Sequence, residues 1–201
     1  TDYTVSGTTV AIKKAYLAAQ PVGTTTLTFN FSAGAPATLA VNVVDTTSSG
    51  GGSVKLQMYN GSTTASTNTL NPKFKLINTG TTAVNLSDVK IRYYYTIDGE
   101  KAQNFFCDWS SAGTANVTGT FAKLASAKTG ADYVLEIGFT SAAGTLAAGA
   151  NVEIQTRISK TDWTNYTQTG DYSFDATDTA YADWTKAPVY VSGSLAWGVE
   201  P

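Results

Sequence analysis

Histidine does not occur once in the 201 residues. Its absence removes Ser-His-Asp and Cys-His nucleophilic centres and most zinc sites together, because each needs an imidazole as base or ligand. Cysteine occurs once, at Cys107, so no internal disulfide can form. That thiol lies in the apolar run Asn104-Phe105-Phe106-Cys107-Asp108-Trp109, where a buried, inert side chain is expected. Charge is scarce too. Lys and Arg number 13, Asp and Glu 15, and together they make up 14% of the chain, against about a quarter in an average soluble domain. The formal net charge is −2 and no basic cluster stands out, so nothing suits a phosphate backbone and nucleic acid is excluded as a partner. No apolar run approaches the roughly 20 residues of a membrane span, which excludes a helical membrane anchor in this stretch. No secretory leader opens the chain, and Thr1 reads as the interior of a longer protein.

Hydrophobic residues account for 42% of the chain, enough for a full core. The surface is finished with Thr, Ser, Asn, Gly and Ala in place of charge, a composition suited to a secreted β-protein. Thr47-Ser48-Ser49-Gly50-Gly51-Gly52-Ser53 reads as a flexible linker between residues 1–46 and 54–201. Before it, Thr8 to Lys13, Thr25 to Phe31 and Thr38 to Val44 alternate as strands, and Ala15 to Ala19 suits a short helical turn. Three or so strands do not close a sandwich alone, so this piece is either part of a larger domain or packed on something else. After the linker, strand-like runs recur between Gly, Asn and Ser turns: Val54 to Tyr59, Lys73 to Asn78, Val89 to Thr96, Val117 to Phe121, Tyr133 to Phe139, Val152 to Ser159 and Val189 to Val191. With no long helical period, this is the pattern of an all-β sandwich or barrel.

Period-two alternation assigns faces. Val152, Ile154, Thr156 and Ile158 share one side of their strand; Glu153, Gln155 and Arg157 share the other, which is solvated. Just beyond stands Trp163, in the polar stretch Lys160 to Tyr166. A tryptophan among polar neighbours either folds back onto the core or binds something, and Trp109 poses the same question. Trp184 and Trp197 sit in strand-like contexts and are assigned to the core. On Val89 to Thr96 the inward set is Val89, Ile91, Tyr93 and Tyr95, while Lys90, Arg92 and Tyr94 face out, as an ordinary cross-strand pair or a second binding surface. Aromatic faces and planar guanidinium groups suit carbohydrate, because the axial C–H groups of a glucose ring are apolar and weakly positive. A small glycoside hydrolase is the competing class and needs two carboxyl groups across a cleft. Glutamate is limited to Glu100, Glu136, Glu153 and Glu200, and none stands in such a constellation. A ligand-free structural spacer is the third reading.

Longer stretches narrow the choice. They include Asn71-Pro72-Lys73-Phe74-Lys75, Tyr93-Tyr94-Tyr95-Thr96-Ile97-Asp98-Gly99-Glu100, Phe106-Cys107-Asp108, Asp162-Trp163-Thr164-Asn165-Tyr166, Asp171-Tyr172-Ser173-Phe174 and the closing Trp197-Gly198-Val199-Glu200-Pro201. Through them, Val54 to Pro201 resembles the family 3 carbohydrate-binding modules of bacterial cellulases and scaffolding proteins. The resemblance implies a nine-stranded jelly-roll-like sandwich and non-catalytic binding of crystalline cellulose. It further implies an upstream, covalently attached cellulase domain that the module carries to its insoluble substrate. A planar strip of Asp108, Trp109, Arg157 and Trp163 is implied, with Asp108 and Trp109 in a loop after Cys107 and an Asp108–Arg157 ion pair acting as one more flat group. Scaffoldin-type relatives carry a histidine in place of Trp109 and a tyrosine-bearing insertion for which Ser110 to Asn116 is too short, so the chain looks like the enzyme-borne 3b subgroup. Asn68 and Gln155 match polar anchors for a second glucan chain, and Ser62 stands where the family has an asparagine. A structural calcium ion is implied at Thr96, Asp98, Thr167, Gly170 and Asp171; Gly170 replaces an asparagine that acts through its carbonyl. Spacing alone makes Asp98-Gly99 a simple turn. Residues Asp2 to Asp45 resemble the C-terminal half of immunoglobulin-like X2 modules, through Tyr3 to Gly7, Lys13 to Leu17 and Gly23 to Phe29.

Overall fold

The computed structural model describes residues 2–13, 15–16, 19–20, 23–43 and 54–201. The expected linker, Thr47 to Ser53, lies outside the described residues. The chain divides into two compact units, Thr1–Ser49 and Gly50–Pro201.

In the first unit, β1 (Tyr3–Ser6) and β2 (Thr9–Ile12) form one antiparallel hairpin, and β3 (Gly23–Phe29) and β4 (Ala37–Val43) form another. The turn at Gly7 takes φ +58, which glycine adopts without the Cβ clash of other residues. β1 was not anticipated: Tyr-Thr-Val-Ser is too short for alternation to register. The expected helical turn is present where described, with the Tyr16 amide donating to the Lys13 carbonyl and the Ala19 amide to that of Tyr16.

The second unit is a β-sandwich. One sheet runs in the order β12 (Val117–Lys128), β13 (Ala131–Phe139), β10 (Val89–Tyr95), β18 (Val189–Val191) and β19 (Ser194–Trp197). The other runs β11 (Gln103–Ser110), β15 (Asn151–Lys160), β8 (Pro72–Asn78), β5 (Val54–Asn60) and β17 (Ala182–Asp183), with β7 (Thr69–Leu70) also paired to β15. Leaving aside the two-residue strands β7 and β17, the two sheets hold the nine strands expected. Short pairings of β6 (Ser66–Thr67) with β16 (Tyr166–Thr167), and of β9 (Val84–Asn85) with β14 (Thr145–Leu146), tie the loops at the ends. Among the described residues of this unit, helical backbone is confined to three-residue 3₁₀ turns.

The sandwich follows from alternation. In β5 and β8 every second residue is buried, and the register sets Leu56 against Leu76 and Met58 against Phe74. Those side chains meet Ile91, Tyr93, Leu135 and Ile137 of the facing sheet in one continuous core. Burial of such side chains stabilises by about 1.5–3 kcal/mol each. Trp184 and Trp197 pack at its margin, each donating its indole N–H to a carbonyl, of Ser173 and Trp184 respectively.

Two readings need correction. Tyr94 points away from the main core as alternation requires, yet it is 4% exposed. Tyr172 covers it edge-on at 6.1 Å, and Leu124, Ala131 and Val134 complete a second small cluster. Glu136, directly opposite Arg92 on the outward set of its strand, pairs with it at 3.0 Å. The stretch after Cys107 is no loop. Strand β11 continues to Ser110, a difference that builds the site.

Candidate functional site

Four strands of the second sheet present a solvated outer face, β11–β15–β8–β5. On β15, Val152, Ile154, Thr156 and Ile158 are buried while Glu153, Gln155 and Arg157 look outward, as the alternation predicts. On β11 the alternation is broken. Phe106 pairs with Arg157 and Cys107 with Thr156, but the next partner of Gln155 is Trp109, so Asp108 is an extra residue in a β-bulge. A bulge turns two consecutive side chains to the same side and re-aims them. Phe106, Asp108 and Trp109 are all exposed, and Cys107 is half-buried with its thiol toward the Trp109 carbonyl at 3.5 Å.

The bulge sets Asp108 against Arg157. The Arg157 Nε donates to Oδ1 at 2.9 Å and Oδ2 at 2.7 Å, and a terminal nitrogen donates to Oδ1 at 2.8 Å. Hydrogen bonding by the guanidinium holds the Asp108 carboxyl below the usual carboxylate range, and the same bonds raise Arg157. Arg157 also lies over the Phe106 ring, 5.1 Å from its centroid. Sequence reasoning left Phe106 in an apolar run; the signal that finds it is its register opposite Arg157.

Both tryptophans expected in the strip are exposed. Trp109 is 47% exposed and Trp163 is 53% exposed, so neither folds back onto the core. Trp163 follows β15 in the loop 161–165 with φ +60, a left-handed backbone that is rare for a bulky residue and held only where surroundings impose it. The imposing contacts are visible. The Trp163 amide donates to the Lys160 carbonyl at 3.1 Å, and Asp162 accepts from the amide and hydroxyl of Thr164 at 3.2 and 2.8 Å. Lys160 is fully buried, and its ammonium donates to the carbonyls of Asp98 at 2.8 Å and Asn165 at 2.9 Å.

Of the expected polar anchors, Gln155 sits on the outer face between Trp109 and Lys73 in register. Asn68 is exposed, its side-chain oxygen accepting from Thr69. It lies one residue before β7, beside the strand that carries Arg157. Ser62 is half-buried; its hydroxyl is engaged with Thr64 and its carbonyl accepts from Gln168.

The residues expected to hold calcium gather around Asp171. Its Oδ1 accepts from the amide and hydroxyl of Thr96 at 2.9 and 2.6 Å, while Oδ2 is buried with no hydrogen-bond partner. Asp98 accepts from the Thr167 amide at 2.6 Å. Burial pushes the Asp171 carboxyl up to about 7, and the charges of Asp98 and Asp132 act in the same direction. Among the described residues no three His, Cys, Asp or Glu converge to hold a metal, so an ion here would rest on two carboxylates with neutral oxygens. An orphaned buried carboxylate oxygen beside like charges fits a hard cation, which takes oxygen ligands of this kind. Gly130 shapes the same corner. With φ +72, it lies so close that an added Cβ would meet the Gly170 carbonyl oxygen at 2.2 Å.

With this geometry in place, comparison with known families is decisive. The model of the cellulose binding domain family, CBM_3, matches residues 55–198. The chain belongs to that family. A carbohydrate binding domain X2 model matches residues 1–41. The chain is 61% identical to a xyloglucanase of a Paenibacillus species, over 100% of this chain and 20% of the relative. It is 50% identical to exoglucanase-2 of Thermoclostridium stercorarium, over 100% and 23%. It therefore spans about a fifth of the length of these relatives. Among solved structures, the CBM3b of the scaffoldin subunit ScaA from Acetivibrio cellulolyticus is 53% identical with a TM-score of 0.73, covering 74% of this chain and 97% of that one. The family IIIa domain from Clostridium cellulolyticum is 42% identical with a TM-score of 0.71, covering 76% and 100%. CBM_3 membership fixes the jelly-roll sandwich, and the family is one of binding modules.

Proposed function

We propose that this CBM_3 module binds the surface of crystalline cellulose without cleaving it, through Trp109, Trp163 and the flat Asp108–Arg157 pair, with Gln155 and Asn68 as polar anchors. Ser62 has the weakest geometric support of the residues expected there. The observation that carries the reading is the bulge in β11, which sets Asp108 and Trp109 side by side on the outer face opposite Arg157 and Gln155. Several weak, flat contacts in a row multiply into useful affinity on a repeating polymer. The four glutamates support a binder over a hydrolase: Glu100 bonds Lys123 and Tyr133, Glu136 bonds Arg92, Glu153 bonds Lys75, and Glu200 bonds Arg92 and Tyr94.

The names of the relatives support an extracellular module that carries a covalently attached cellulase or related glucanase to its insoluble substrate. Calcium, held by Thr96, Asp98, Thr167, Gly170 and Asp171, would supply the charge that the buried Asp171 lacks and so brace the loops; its place is structural. Depletion of the protein from solution by microcrystalline cellulose tests the binding. A protein that stays in the supernatant acts as a spacer, and one that releases reducing sugar from soluble cellulose is an enzyme; either result overturns the reading.

A further inference from the structure

The strip runs along β15, from Gln155 and Arg157 toward the Trp163 loop. A second row crosses it. Trp109 is paired with Gln155, Gln155 with Lys73, and Lys73 with Tyr59, across strands β11, β15, β8 and β5. Directly opposed residues on neighbouring strands share a face, and strands lie about 4.8 Å apart, so this row spans roughly 14 Å at right angles to the strip.

Two features of the row fit a ligand. Each other cation on this outer face is neutralised: Lys55 by Asp183 at 3.1 Å, Lys75 by Glu153 at 3.0 Å and Arg157 by Asp108 at 2.7 Å. Lys73 has no hydrogen-bond or ion-pair partner among the described residues, which leaves all three ammonium donors uncommitted in the middle of the face. Burial among its neighbours also lowers its pKa, with Arg157 acting the same way and Asp108 against it. Tyr59, at the end of the row, is held. Tyr181 packs edge-on against it at 5.0 Å and 78°, and the Lys75 ammonium lies 5.4 Å from the Tyr181 ring. A braced ring loses little freedom when it binds.

We infer that Lys73 and Tyr59 form a second arm of the binding face, in which Lys73 donates to hydroxyl groups of a neighbouring glucan chain and Tyr59 supplies a flat contact beyond it. This rests on the cellulose reading above. A crystal surface, where chains lie side by side, engages both arms at once. Neither residue is among the strip and anchor positions that the family resemblance supplies.

Adsorption isotherms on microcrystalline cellulose for Lys73→Met and Tyr59→Leu test it, alongside amine-reactive labelling of the wild type free and bound. Each substitution is expected to weaken adsorption about fivefold, the effect of one lost hydrogen bond or flat contact, with the melting temperature unchanged. Lys73 is expected to be protected from labelling on cellulose, while Lys128, on the opposite sheet, is not. Should Tyr59→Leu fold poorly, Lys73→Met and the labelling decide. Undiminished adsorption by Lys73→Met, or equal labelling of Lys73 free and bound, overturns the second arm and leaves the tryptophan strip standing. Failure of the wild type to adsorb removes the underlying reading instead.

Discussion

Arg157 and Asp108 face each other across adjacent strands as an ion pair, the arginine donating three hydrogen bonds between 2.7 and 2.9 Å to the carboxylate. The pair is neutral overall and joins two groups that are each planar, and its guanidinium lies over the Phe106 ring. Two planar groups whose charges satisfy one another suit a flat sugar, as the proposed reading requires, better than an isolated arginine does.

The pair predicts a pH profile. The folded-state pKa of Asp108 is depressed by Arg157, so the interaction is fully present above the ordinary aspartate value, about 3.9, and is lost as pH falls through the lower folded value. Adsorption is therefore expected to stay level from neutral pH down to about 4 and to decline below it. Asp108→Asn should weaken binding at neutral pH and flatten that acid limb. Isotherms at stepped pH check both.

Lys160 predicts a separation of roles. Its buried ammonium ties the loop that carries Trp163 to the Asp98 carbonyl, and the Thr161 amide adds a bond to the Ala102 carbonyl at 2.9 Å. Lys160→Met leaves two carbonyls without that donor and is expected to cost about 2 kcal/mol of stability. It should also weaken adsorption at temperatures where the variant stays folded, because the strained Trp163 backbone loses its support. Urea unfolding and isotherms on the same variant measure the two effects.

The acidic corner predicts a metal response away from the strip. Chelation is expected to lower the melting temperature and calcium to restore it, by mass action on the folded state, with adsorption changed far less. Asp171→Asn should abolish the response. Gly130→Ala should destabilise the protein whether or not calcium is present, because a Cβ there collides with the Gly170 carbonyl and strains a positive φ. Thermal scans with and without chelator distinguish the two substitutions.

Much of this was legible in the sequence, for identifiable reasons. Alternation in Asn151–Lys160 places Gln155 and Arg157 on the wet face because Val152, Ile154 and Ile158 mark the other side as the apolar one, and β5 and β8 are readable for the same reason. The β11 bulge was not legible. A period of two has no place for an extra residue, so Asp108-Trp109 reads as the start of a loop when it still belongs to the strand. Tyr94 shows the opposite limit: alternation gives its direction, but its cover comes from Tyr172, 78 residues along the chain, which no local pattern reveals. Lys160 is hidden likewise, since a lysine at the end of a strand reads as solvated and here is buried by the loops it ties.

The central claim is that exposed indoles on one face hold the module to cellulose. The most direct test is the adsorption isotherm of the Trp109→Ala, Trp163→Ala double variant, measured with its melting temperature. At about 1 kcal/mol for each flat contact, each single change should weaken adsorption roughly fivefold. The double variant should weaken it at least twenty-fold or so, with folding retained. A folded double variant that adsorbs as the wild type does would contradict the account.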